Sequence, residues 1–203
     1  MPSPAEAFDR RNLLTFVSLL GGIAAIGAAR GGNAPLAGLA IAAAVVADTF
    51  DGRFARRFGS DPRRRAVGAE LDSLSDAVAF AVAPPLCAGL LLNVDAEPMR
   101  FALWAAIFVH AACGIARLAS FTVTAAEEGS RGFIGLPVPV AALIWASALL
   151  VEPSAAATTT IIVVAAAAMV LPLRIPRPTG AGLVVFTLWP LAVAGLHASA
   201  LWH

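Results

Sequence analysis

Seven apolar stretches follow one another along this chain, at roughly 13–29, 35–56, 70–93, 101–122, 137–151, 155–172 and 181–201. About 17–25 such residues suffice for a helix to cross a bilayer. The chain is 59% hydrophobic with a mean hydropathy of +0.82, against about 45–50% apolar residues in an ordinary soluble domain. The pattern predicts an all-α integral membrane protein, a polytopic bundle of about seven transmembrane helices. Glycine and proline mark the breaks: Gly31-Gly32, Pro84-Pro85, Pro98, Pro137 with Pro139, Pro153, and Pro176 with Pro178. With no internal repeat and no soluble appendage, residues 1–203 read as a single transmembrane domain.

The first apolar run is followed by several more and carries no cleavage pattern, so it reads as a span rather than a secretory leader. Before it, Ser3-Pro4-Ala5-Glu6 has the form of a capping box with proline in the first turn. This predicts a short interfacial helix from about Pro4 to Arg11 within a cytoplasmic segment 1–12, with Phe8 as its main apolar contact. All fourteen basic residues are arginine. Twelve fall on one side of the predicted spans: Arg10, Arg11, Arg53, Arg56, Arg57, Arg63, Arg64, Arg65, Arg117, Arg131, Arg174 and Arg177. Only Arg30 and Arg100 fall on the other. The positive-inside rule places the rich side in the cytoplasm, with the N-terminus inside and, for seven spans, the C-terminus outside.

Four aspartates interrupt this apolar background at helical spacing. Asp48 and Asp51 lie three apart in the second run, and Asp72 and Asp76 lie four apart at the start of the third, so each pair occupies one helix face. A carboxylate at the centre of a membrane helix costs roughly 2.5–3.5 kcal/mol, and four cost on the order of 10 kcal/mol without compensation. A cation or water must therefore sit among them. Two antiparallel helices joined by a short linker bring the two stripes face to face. Hard oxygen donors of this kind suit Mg²⁺, Mn²⁺ or Ca²⁺ far better than zinc. Gly52, Ala55 and Gly68 leave room beside the carboxylates for a bulky or phosphorylated group, and Arg56 can reach a phosphate with its forked guanidinium.

These residues resemble the signature of the CDP-alcohol phosphotransferases, integral membrane enzymes of phospholipid synthesis. The signature is two aspartates three apart, Gly, two residues, Ala-Arg, a gap, then Gly, three residues, Asp, three residues, Asp. Here it falls on Asp48, Asp51, Gly52, Ala55, Arg56, Gly68, Asp72 and Asp76. The eleven-residue gap from Arg57 to Val67 is longer than is usual in the family and reads as a longer cytoplasmic loop. The resemblance implies a six-helix core plus one helix and a homodimer. It also implies a divalent metal, Mg²⁺ or Mn²⁺, as one or two ions. Asp48, Asp51, Asp72 and Asp76 would be its ligands, with Asp76 nearest the reacting hydroxyl as general base. Gly52, Ala55, Arg56 and Gly68 would bind the CDP moiety.

Residues beyond the signature are similar to those of bacterial and archaeal phosphatidylserine synthases: Asn12-Leu13-Leu14-Thr15, the run Leu71 to Pro85, and Gly132 to Pro139. Ala77 stands where the glycerol-phosphate-using branch commonly has lysine. This resemblance implies transfer of a phosphatidyl group from CDP-diacylglycerol to L-serine, giving phosphatidylserine and CMP at the cytoplasmic side of the cell membrane. The serine-using branch often has Arg-Leu-Ala-Arg-Phe-Asn on its fourth span. This chain has Arg117-Leu118-Ala119-Ser120-Phe121-Thr122, which leaves choline, inositol or glycerol phosphate open as acceptors. Serine's carboxylate needs a cation. Arg117 and Arg131 are the candidates, set against plainer roles as a topology anchor and a solvated loop charge. The Gly135-Leu136-Pro137 turn either orders over the acceptor or simply starts the fifth span.

A divalent-cation transporter would use similar carboxylates. It would also line a path through the bilayer with polar residues, whereas the sixth and seventh runs are almost wholly apolar. His110 reads as a packed polar residue. Cys87 and Cys113 read as small hydrophobes without a disulfide.

Overall fold

Inside a bilayer a helix satisfies its own backbone N–H and C=O groups, which hydrocarbon cannot do. The computed structural model is helical accordingly and describes residues 4–58, 61–128, 133–175 and 181–202. The helices are α1 (Leu13–Arg30), α2 (Ala34–Ala55), α3 (Pro62–Asp76), α4 (Ala83–Leu91), α5 (Glu97–Glu128), α6 (Val138–Ala148), α7 (Ala155–Val170) and α8 (Ala181–Ala200). A π-helical segment, Ala77–Val82, joins α3 and α4 into one rod. Among the described residues, four rods are long and apolar enough to cross a membrane, and three shorter apolar ones follow. The seven expected spans are all present as helices.

Local chemistry sets the ends. Gly32 takes a positive φ of 74° between α1 and α2, and the Asn33 side chain accepts the Leu36 N–H to cap α2. Asp61 caps α3 by accepting the Arg63 N–H at 3.0 Å, with Pro62 in the first turn. This cap starts the third rod at Pro62 rather than near residue 70. Most of the extra length in the Arg57–Val67 gap is thus taken up as helix, not as the longer loop expected. Helix α5 also outruns its predicted span. Its 32 residues reach about 48 Å at 1.5 Å each, more than the roughly 30 Å of hydrocarbon.

The N-terminal segment differs from the single short helix expected. It forms two 3₁₀ pieces, Pro4–Phe8 and Arg10–Asn12. Asp9 separates them because its carboxylate accepts the Arg11 N–H at 3.1 Å and caps the second piece. Ser3, on which the proposed capping box depended, lies outside the described residues. Phe8 stacks on Phe16 with ring centroids 5.1 Å apart. Further along, strand β1 (Phe133–Ile134) pairs antiparallel with β2 (Arg174–Ile175), tying the loop before α6 to the loop after α7.

Small residues let the helices approach, as membrane helices require. A Cβ added at Gly21 of α1 would lie 2.8 Å from the Ala44 Cβ of α2. One added at Gly114 of α5 would lie 2.6 Å from the Ala81 Cβ in the π segment. The core is correspondingly alanine-rich, with Phe80 and Trp145 as its largest buried side chains. Large apolar residues such as Leu20, Ile23, Phe101, Phe108 and Val185 face outward. An exposed apolar surface of this extent belongs against hydrocarbon, not water.

Candidate functional site

Helix α1 forms the back wall of a cleft. It packs against both α2 and α3, while α2 and α3 approach each other little through their backbones among the described residues. Two contacts fix α1 parallel to the α3 rod. Asn12 Oδ1 would lie 3.2 Å from a Cβ added at Gly68, and a Cβ added at Gly22 would lie 2.6 Å from the Ala79 Cα. Between these two contacts, the Thr15 hydroxyl of α1 reaches Asp51 of α2.

The four aspartates converge in that cleft. Carboxylate oxygens of Asp48, Asp72 and Asp76 lie within 4.8 Å of one another. Asp51 joins them through its carboxyl contact with Asp72, and Asp48 makes a similar contact with Asp76. Asp51 and Asp76 are buried, and Asp48 and Asp72 are half-buried. Like-charged groups this close need a proton or a cation between them. An all-carboxylate donor set that spans a few ångströms fits a hard divalent ion such as Mg²⁺ or Mn²⁺.

The rest of the signature lines the same end. Gly52 and Arg56 lie at the cleft mouth, where a Cβ at Gly52 would meet Arg56 Nη1 at 3.4 Å. The guanidinium therefore rests over the open glycine face. Ala55 is the last residue of α2 and half-buried. On the far side, Arg117 of α5 is buried, with its guanidinium carbon 5.6 Å from the Phe121 ring centroid and within electrostatic reach of Asp76. Arg117 thus joins the cluster, while Arg131 lies outside the described residues. Ser73 and Thr122 tie α3 to α5 through their hydroxyls at 3.2 Å, and Thr122 also donates to the Leu118 carbonyl at 3.1 Å. Gly135 and Leu136 donate their N–H groups to the Leu173 and Ala168 carbonyls. The turn before α6 is therefore anchored on the end of α7.

Sequence reasoning passed over the polar stripe of α1. Asn12, Thr15 and Ser18 are all buried, and the Thr15 hydroxyl donates to Asp51 Oδ2. Among the described residues, the Ser18 and Ser75 hydroxyls are buried without a hydrogen-bond partner. The available signal was three small polar residues at i, i+3 and i+6 where an apolar run begins. His110 behaves as expected, fully buried with Nδ1 3.2 Å from the Ile162 carbonyl. Both cysteines are free.

A family model described as CDP-alcohol phosphatidyltransferase matches residues 11–193. The chain is 32% identical over 141 residues to a CDP-diacylglycerol–serine O-phosphatidyltransferase of Helicobacter pylori, covering 70% of this chain and 57% of that one. A protein of the same name from Mycobacterium tuberculosis is 33% identical over 145 residues, covering 68% and 48%. An archaetidylserine synthase from Methanothermobacter thermautotrophicus is 36% identical over 107 residues, covering 53% and 43%. The chain spans about half the length of the curated relatives it matches.

Proposed function

The chain belongs to the CDP-alcohol phosphatidyltransferase family, and on that premise we propose that it transfers a phosphatidyl group from CDP-diacylglycerol to the hydroxyl of L-serine in a metal-dependent reaction. The products are phosphatidylserine and CMP. The observation that carries this reading is the convergence of Asp48, Asp72 and Asp76, with Asp51 against Asp72, in a cleft beside Arg56 and Arg117.

Asp48, Asp51, Asp72 and Asp76 would hold the divalent ion, Mg²⁺ or Mn²⁺. When bound, that ion neutralises pyrophosphate charge and polarises the phosphorus under attack. Arg56 contacts the nucleotide phosphate, and Gly52, Ala55 and Gly68 give the cytidine and ribose room against the helix backbones. Asp76 accepts the serine hydroxyl proton, because a neutral hydroxyl is a weak nucleophile. The serine oxygen forms its bond to the lipid-side phosphorus as the bond from that phosphorus to the CMP oxygen breaks, and CMP leaves. Arg117 offers its guanidinium to the serine carboxylate from the α5 side, and Arg131 is the second candidate for that role.

A second reading keeps the chemistry and changes the acceptor to choline, inositol or glycerol phosphate. The observation favouring it is that Thr122 and Ser120 replace polar residues frequent in the serine-using branch, with Thr122 engaged by Ser73 and the Leu118 carbonyl. The protein is read as a single multi-pass domain and homodimer of the cytoplasmic membrane. Its N-terminus and active site lie on the cytoplasmic side, where the arginines concentrate.

The test is CMP release from CDP-diacylglycerol by the full chain against serine, choline, inositol, glycerol phosphate and no acceptor. Serine-dependent release with phosphatidylserine as product supports the first reading. Release with another alcohol alone transfers support to the second, and no acceptor-dependent release removes both.

A further inference from the structure

We propose that Thr15 of α1 is a positioning residue for the divalent-metal cage, acting through Asp51; this rests on the metal reading above. A threonine inside a helix usually returns its hydroxyl proton to the carbonyl one turn back. Thr49, Thr122, Thr159 and Thr160 all do so in this protein. Thr15 instead donates across helices, to Asp51 Oδ2 on α2. Both groups are withdrawn from solvent, Thr15 at 3% and Asp51 at 7% exposure, so water does not compete for the bond.

The bond does two things. It engages Oδ2 of Asp51 and restrains rotation of a carboxyl that also lies against Asp72. It also couples α2 to α3 through their common neighbour. Asn12 at Gly68 and Gly22 at Ala79 register α1 on the α3 rod, and Thr15 registers the same helix on α2. The separation of the two aspartate stripes thus depends on α1, since α2 and α3 approach each other little through their backbones. Outer partners that orient metal-binding carboxylates typically change metal affinity by about 10–100-fold when removed.

The experiment measures Mn²⁺ affinity by electron paramagnetic resonance of free Mn²⁺, using the full chain in nanodiscs. Thr15→Val, which keeps the shape and loses the hydroxyl, is expected to weaken Mn²⁺ binding about 10–100-fold. Thr15→Ser, which keeps the hydroxyl, is expected to bind close to wild type. In an Asp51→Asn background, Thr15→Val is expected to add nothing. Thr15→Ala serves the same comparison should the valine variant not fold. Wild-type Mn²⁺ affinity in the hydroxyl-free variant, or a full additional loss in the Asp51→Asn background, overturns the proposal. A wild-type chain with no saturable Mn²⁺ binding removes the metal reading itself, a different outcome.

Discussion

Gly22 of α1 lies directly on the backbone of Ala79, where an added Cβ would come within 2.6 Å of the Ala79 Cα. The neighbour is main chain in the middle of a long rod, so it cannot swing aside as a side chain tip would. The contact fixes the height of α1 against the helix that carries Asp72 and Asp76. Thr15, two turns nearer the aspartates, inherits its level from it.

Gly22→Ala should therefore destabilise the fold by about 1–3 kcal/mol, the usual cost of overpacking, and should weaken Mn²⁺ binding as well. Gly27→Ala is the control, because among the described residues a Cβ there meets nothing within 4 Å; it should be neutral or gain up to about 1 kcal/mol of helix propensity. Thermal unfolding of the two variants in detergent checks this.

Asp76→Asn should abolish CMP release even at divalent-ion concentrations high enough to restore CDP-diacylglycerol binding. The amide keeps the shape and loses the base. Asp51→Asn should weaken both, because it removes a charge from the metal site. Full turnover by the Asp76 variant, measured beside a lipid-binding assay, ends the general-base assignment.

Removing divalent ions with a chelator should stop CMP release, and adding Mg²⁺ or Mn²⁺ back should restore it. Zn²⁺ should substitute poorly, because the donor set is carboxylate alone. Activity that survives exhaustive chelation counts against the metal reading.

The N-terminal segment should loosen in acid. The Arg11 backbone N–H, with the Arg11 and Arg64 charges, holds the Asp9 carboxyl below its ordinary 3.8, and the Asp9–Arg64 pair measures 2.9 Å. A carboxyl held low when folded contributes stability that is present above its unfolded value and lost as pH falls through the folded one. Protection factors for the backbone N–H groups of residues 5–12, which divide out the intrinsic pH dependence of exchange, should accordingly be high near neutrality and fall below about pH 4. Asp9→Ala, which removes both the cap and the charge, should show the lowered protection at all pH values, and added salt should weaken the ion pair.

Helix α8 should be unseated by Gly38→Ala. The His197 imidazole occupies the space a Cβ at Gly38 would need, and its Nε2 lies 2.8 Å from the Ala146 carbonyl. A methyl group there displaces a buried, hydrogen-bonded ring, at a cost of about 1–3 kcal/mol. A lowered thermal midpoint together with faster proteolysis of the last helix is the expected readout.

The rods were legible from apolar run length because lipid leaves the backbone few alternatives. The aspartate stripes were legible because a carboxylate in such a run demands an explanation. Thr15 was not, because a single hydroxyl in an apolar run ordinarily bonds to its own helix, and only the tertiary register shows that this one does not. The start of α3 at Pro62 was obscured by Arg63 to Arg65, whose charge masked a well-capped helix end. The fit of His197 to Gly38 joins residues far apart in the chain, and no local periodicity relates them.

The π-helical segment Ala77–Val82 begins immediately after Asp76. Its i→i+5 bonding pattern departs from the α-helical rotation, so the acidic half of the rod and the half beyond it are phased separately. Asp76 is thus the last carboxylate before a fully buried run, Ala79, Phe80 and Ala81, that seats the rod in the core.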